Sequence, residues 1–128
     1  MSHFSRVKTK LVKKEHLVQA LSDLGYQPTE GNVEIRGFNG QKMKVDVKVP
    51  TKNPGYDLGF RKVDNVYELV ADWYGIADIN PEKFLNQVNQ RYAYHAVLTR
   101  TKEQGFEMVE EENKADNTIH LTVRRTVF

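Results

Sequence analysis

The chain contains no cysteine, which excludes disulfides, thiolate metal sites and a cysteine nucleophile together. No apolar run approaches the roughly 18 residues of a membrane-spanning helix, and none resembles the core of a signal peptide. A soluble protein of a reducing, cytoplasmic compartment is therefore expected, with no membrane partner. The four histidines, His3, His16, His95 and His120, show no ligand spacing such as a pair one helical turn apart. His3 would form an amino-terminal copper or nickel chelate only if Met1 were retained, and a methionine before a small residue such as Ser2 is commonly removed. No metal and no cofactor are expected. The glycines of GFNGQK belong to a turn with no helix behind it, so no phosphate-cradling loop is present either.

What remains is the composition of a globular chain. At 128 residues and 39% hydrophobic content, one α+β domain spanning 1–128 can bury a core without staples. The net charge of +2 hides an asymmetry. Residues 1–62 carry twelve Lys/Arg against six Asp/Glu, and residues 63–128 carry seven against eleven. Such a layout can mark a basic docking surface for nucleic acid or an acidic protein, or only solvated faces.

Hydrophobic periodicity predicts the elements. FSRVKTKL alternates, with Ser5, Val7, Thr9 and Leu11 on one face and Phe4, Arg6, Lys8 and Lys10 on the other. KKEHLVQALSDLGY sets Leu17, Ala20, Leu21 and Leu24 on one helical stripe, with Gly25 placed for a left-handed cap. The Asn39-Gly40 pair predicts a hairpin whose second arm points Met43, Val45, Val47 and Val49 inward. A second hairpin turns at Asp64-Asn65. A long helix begins at Asn80 as N-cap with Pro81 behind it and runs to about Gln104. A last hairpin turns within Asn113 to Asn117. The expected architecture is one curved, mostly antiparallel sheet with both helices on one face. The order of elements also suggests a weak internal duplication of a strand-helix-hairpin unit. The other face would then be covered by a partner, a second copy or water.

Within the long helix, QRYAYH crowds Arg91, Tyr92, Tyr94 and His95 together. On a helical wheel Val88, Tyr92 and His95 share the apolar stripe with Phe84, so His95 faces inward. Two readings stand: a core histidine and tyrosine with satisfied polar tips, or a polar pocket with a carboxylate such as Asp72 doing acid-base work. Asp57 and Asp72 are the acids set inside aromatic, apolar segments, YDLGF and VADWYG, where burial demands compensating Arg or His partners. Asp57, Asp72, Tyr92 and His95 are accordingly the catalytic candidates. A third possibility is a basic surface: Arg6, Lys8, Lys10, Arg36, Lys42, Lys44 and Lys48, with Phe4 and Phe38 among them, on one side of three strands. Aromatic-studded basic sheets hold single-stranded nucleic acid.

The strings MSHFS, RGFNGQ, YDLGF, ADWYGI and QRYAYH, in this order across nearly the whole chain, resemble the family called hypothetical chloroplast open reading frame thirty-five, of cyanobacteria and algal plastids. The resemblance implies a cyanobacterial cytosol or plastid stroma. It also implies that Ser2, His3, Phe4, Asp57, Asp72, Trp73, Gln90, Arg91, Tyr92, Tyr94 and His95 belong to a family pattern. It brings no catalytic residues with it. The leading expectation is a binding or adaptor protein, not an enzyme, offering a sheet face or edge to a protein partner. A nucleic-acid-binding module and a small enzyme are the alternatives.

Overall fold

The computed structural model describes residues 4–113 and 119–125. The Ser2 and His3 positions and most of the last turn lie outside these residues. In chain order the elements are β1 (Ser5–Lys8), α1 (Lys14–Asp23), β2 (Thr29–Arg36), β3 (Lys42–Pro50), β4 (Asp57–Val63), β5 (Val66–Ala71), α2 (Pro81–Glu103), β6 (Phe106–Asn113) and β7 (Ile119–Arg125), with single 3-10 turns at Phe38–Gly40 and Trp73–Gly75.

Local signals act where expected. Asp64 and Asn65 take φ of +52° and +68° at the β4–β5 turn, and Asn39 and Gly40 take +56° and +75° at the β2–β3 turn. Asn80 Oδ1 accepts from the Lys83 amide at 3.0 Å, capping α2 in front of Pro81. The α1 N-terminus has no side-chain cap of its own. Instead Tyr92 of α2 lends its hydroxyl, which accepts from the Val12 and Lys13 amides at 3.2 and 2.9 Å. Donors at the start of one helix are thus satisfied by the other.

Five strands form one antiparallel sheet in the order β1-β5-β4-β3-β2. Both helices lie on one face of it, with Leu17, Ala20 and Leu21 of α1 and Phe84 and Val88 of α2 packed on Val47, Val49, Leu58, Phe60 and Leu69. The α+β architecture is as expected. The last hairpin differs: β6 and β7 pair with each other as a separate two-stranded sheet. The reason lies in α2, whose 23 residues reach about 34 Å. Its last buried residue is Val88, so the C-terminal half carries the chain past the edge of the core before β6 begins. Val88→Ala, which empties a fully buried site between α2 and the sheet, is expected to cost about 2 kcal/mol, read as a lowered denaturation midpoint at unchanged slope.

The second departure concerns β3. Met43, Val45, Val47 and Val49 do not share one core. Val47 and Val49 face the helices, whereas Val45 joins Ile35 and Val70 in a second buried cluster on the other face, with Phe4, Val33 and Met43 around it. The change of face falls at Asp46. Its partner strand β2 slips register between Glu30 and Val33, around Gly31 at φ +108°. The β3–β4 pairing ends at Val47↔Phe60, and the Asp46 carboxylate takes over by accepting from the Lys62 amide at 2.7 Å. An extra residue in one strand bends and twists a hairpin, and here the end of the β2–β3 hairpin folds back over the sheet. Gly59 makes this approach possible: a Cβ there would stand 2.7 Å from a Val45 methyl and 2.9 Å from an Ile35 methyl. The face opposite the helices is therefore covered in part by the chain's own hairpin, which corrects the expectation that a partner, a second copy or water alone covers it.

Candidate functional site

The two aspartates marked by their apolar surroundings are buried, Asp57 at 0% exposure and Asp72 at 1%. They stand on neighbouring strands of the hairpin-covered face, since one register step beyond Leu58↔Ala71 sets them side by side. Each holds one part of the folded-back β2–β3 hairpin. Asp57 accepts three bonds from Arg36: the backbone amide at 2.8 Å, Nε at 3.0 Å and a terminal guanidinium nitrogen at 3.1 Å. Lys48 Nζ stands 3.9 Å away. The hydrogen bonds to Asp57 push the Arg36 guanidinium pKa up. Asp72 accepts from the Phe38 amide at 2.9 Å through one oxygen and from the Tyr74 amide at 3.2 Å through the other. These contacts satisfy the demand that a buried carboxylate find donors.

What the sockets display is aromatic. Phe38 and Tyr74 meet edge to face, centroids 5.7 Å apart and planes at 85°. Tyr74 is 76% exposed and Phe38 38%. Beneath them Gly37 is pressed against Phe4, where a Cβ would come within 2.9 Å of the ring, and Gly75 lies on the Tyr56 ring. Burial, then the nearby Asp72, raises the Tyr56 phenol pKa. Residues from MSHFS, RGFNGQ, YDLGF and ADWYGI thus meet at one place, although they come from four separate segments. Tyr74, the most exposed large hydrophobic residue among those described, was not singled out from the sequence.

QRYAYH lies on the far side of the sheet, between the helices. Phe84 and Val88 are buried as the wheel requires, and the Tyr92 ring meets His16 edge to face at 5.5 Å. His95 Nε2 is 2.6 Å from Asp23 Oδ2, and Arg91 Nε is 3.0 Å from the same oxygen. Arg91 also reaches Glu111 of β6 at 3.4 Å and lies over the Tyr94 ring at 4.2 Å. Burial, then a hydrogen bond with Glu111, raises the Tyr94 pKa. The acid that His95 meets is therefore Asp23, not Asp72. Asp57, Asp72, Tyr92 and His95 do not converge, because the sheet separates the first two from the last two. Asp23 was missed, although a signal existed: an acid in the last turn of a helix opposes the macrodipole and calls for a cation.

Burial would raise the Asp23 pKa, but the bonds from His95 and Arg91 outweigh it, and the carboxyl titrates below its ordinary value. A group depressed in the folded state stabilises fully above its unfolded value, near 3.9 for aspartate. That contribution is lost as pH falls through the lower folded pKa. Denaturation measured across this acid range should show a smaller loss for Asp23→Asn than for the wild type. Superimposable acid profiles would contradict the assignment.

The basic residues are not gathered in one stripe. Arg6 and Lys8 lie on β1 at one edge, with exposed Lys10 beyond it, and two strands separate them from β3, about 14 Å across the ladder. Arg6 and Lys48 do share one cross-strand row through Val70 and Gly59. Lys44 stands opposite Glu34, and Lys42 opposite Arg36. A recess of about 580 Å³ runs between Tyr26, Pro50, Lys52 and Asp78 and holds none of the candidate residues. No cluster of three or more His, Asp or Glu residues able to hold a metal occurs among the described residues. No helix among them is long and apolar enough to cross a membrane.

An open antiparallel sheet backed by two helices, with a hairpin pinned over its other face, defines a small α+β protein with a displayed aromatic corner. The chain belongs to the DUF1257 family, described as a protein of unknown function, whose profile matches residues 20–122. It is 39% identical over 126 residues to the uncharacterized protein ycf35 of Cyanophora paradoxa, and 36% identical to the proteins of that name from Pyropia yezoensis, over 130 residues, and Guillardia theta, over 128. In each case 98% of both chains is covered. The resemblance to the chloroplast open reading frame thirty-five family is borne out. No solved structure matches the chain.

Proposed function

We propose that this is a binding or adaptor protein, not an enzyme, which presents the corner formed by Phe38 and Tyr74 to a macromolecular partner in a cyanobacterial cytosol or plastid stroma. The observation that carries this reading is the use made of Asp57 and Asp72. Two buried carboxylates, the residues best suited to chemistry, are occupied in fixing a loop and a turn whose side chains face solvent. Pre-ordered display of exposed aromatic rings suits recognition, since aromatic residues dominate binding hot spots and an ordered site loses less entropy on association. Nothing comparable supports an enzyme, for the acids are sealed and the helix-side His95 is engaged by Asp23.

A nucleic-acid partner is the second reading, favoured by the Arg6–Lys48 row and the neighbouring aromatic rings. The two are separated by affinity capture from native lysate with the wild-type chain and with a Phe38→Ser/Tyr74→Ser double variant, each with and without nuclease. A protein retained by the wild type, lost with the variant and unaffected by nuclease is the expected result. Recovery that depends on nuclease-sensitive material, and that Lys42, Lys44 and Lys48 to Gln together abolish, would favour nucleic acid. Equal recovery by both chains would remove the corner from the account.

A further inference from the structure

The corner also constrains the chemistry of the partner, given the binding role on which this inference rests. We infer that its ligand is a segment of polypeptide carrying an apolar anchor residue flanked by carboxylates. The rings set the first requirement. At 85° and 5.7 Å they are two walls of an angle, not parallel faces. Successive nucleobases need stacking surfaces presented face-on in series, whereas an angle between two rings accepts one aliphatic or aromatic side chain on both walls at once.

The backbone beneath the angle is also fixed. Phe38 and Tyr74 are held through their own amides by the two oxygens of Asp72, which sets the two positions from which the rings project. A single inserted side chain finds both anchors already placed, and the backbone part of the ordering cost is met in folding.

Charge sets the second requirement. Arg36, two residues before Phe38, has a half-exposed side chain, and Lys42 stands exposed opposite it in the hairpin. Arg6 and Lys48 lie in the row beside it on the same face. These four cations outnumber the two aspartates beneath them, and those aspartates are buried, with their oxygens engaged by Arg36, Phe38 and Tyr74. Of the acids on these strands, exposed Glu34 is opposite Lys44 and half-buried Glu68 lies between Lys8 and Arg61, while exposed Asp78, four residues beyond Tyr74, accepts from the Asn53 side-chain amide. On the hairpin side of the corner cations therefore outnumber acids, and a partner approaching from there gains from carboxylates flanking its anchor.

A photo-crosslinking amino acid, p-benzoylphenylalanine, placed at Tyr74 of the full chain in the native cell tests this directly, because the site is exposed enough to accept it. The same probe at Phe38 is the second position, and at Val97, exposed on α2 far along the chain, it is the control. The expected product at Tyr74 and Phe38, absent at Val97, is a polypeptide adduct mapping to an Asp/Glu-rich stretch with an apolar residue. That stretch, as a synthetic peptide, should bind the purified chain and lose at least about tenfold in affinity on Tyr74→Ala. It should also weaken on Arg6→Glu and as salt rises from about 50 to 300 mM. An adduct with a neutral or basic segment, or with a second copy of this chain through such a segment, overturns the inferred chemistry and leaves the binding role standing. An adduct with RNA or DNA overturns it in favour of the second reading. No adduct at either position overturns both the inference and the binding role.

Discussion

Asp57→Ala is expected to lower the free energy of unfolding by about 2–3 kcal/mol, the scale of hydrogen bonds to a charged group, since the half-exposed Arg36 side chain is solvated once freed. The residue has no solvent exposure and accepts three bonds from Arg36, one from its backbone and two from its guanidinium. Its removal leaves the part-buried Arg36 amide without its acceptor, and leaves Arg36 and Lys48 without the anion between them. The loss should be local as well as global. Ile35, Val45 and Val70 are packed under the hairpin end that Asp57 retains, so that cluster should loosen before the helix-side core. Chemical denaturation gives the magnitude, and a change below about 1 kcal/mol, the size of an ordinary surface hydrogen bond, would show that Asp57 is not a socket.

Gly75→Ala should be comparably severe for a steric reason. A Cβ at this position would lie 2.1 to 2.3 Å from three atoms of the Tyr56 ring, far inside van der Waals contact. The half-buried ring must leave its seat, and overpacking of this kind costs about 1–3 kcal/mol. The three nearest atoms all belong to Tyr56, so the two changes should be non-additive. Gly75→Ala placed in a Tyr56→Ala background should add little to the cost of Tyr56→Ala alone. Additive costs would place the strain elsewhere in the Trp73–Gly75 turn.

The features legible in the sequence were those whose causes are local. Asn39-Gly40 and Asp64-Asn65 take the positive φ their side chains tolerate, and Asn80-Pro81 starts a helix because both groups act within its first turn. The apolar stripes of α1 and α2 followed from the 3.6-residue period alone. The change of face in β3 was not legible, because Met43, Val45, Val47 and Val49 alternate without a break. The irregularity sits in the partner strand at Gly31. The candidate site was half legible. An acid amid apolar residues calls for an Arg or His partner or else for chemistry; Arg36 answers for Asp57, whereas Asp72 is met by the amides of Phe38 and Tyr74. Which donors come is a long-range fact, as with Phe38 and Asp72, 34 positions apart, or Asp23 and His95, 72 apart. A helical wheel turned His95 inward correctly and could not name the acid it would meet. The basic residues looked like one surface because strand order, which puts β1 and β2 at opposite edges, has no signature in alternation.

The central claim is that buried carboxylates fix the displayed corner, and amide hydrogen exchange at Phe38 measures it most directly. Phe38 is solvent-exposed in a 3-10 turn at a hairpin end, where an amide without a partner exchanges at nearly the rate of an open chain. The bonds to Asp72 and Asp57 predict instead that the Phe38 and Arg36 amides respectively are protected, and that Asp72→Ala removes protection at Phe38 and Tyr74 while Arg36, and Leu69 in the middle of the sheet, keep theirs. Fast exchange at Phe38 in the wild-type chain, or slow exchange that persists in Asp72→Ala, would contradict it.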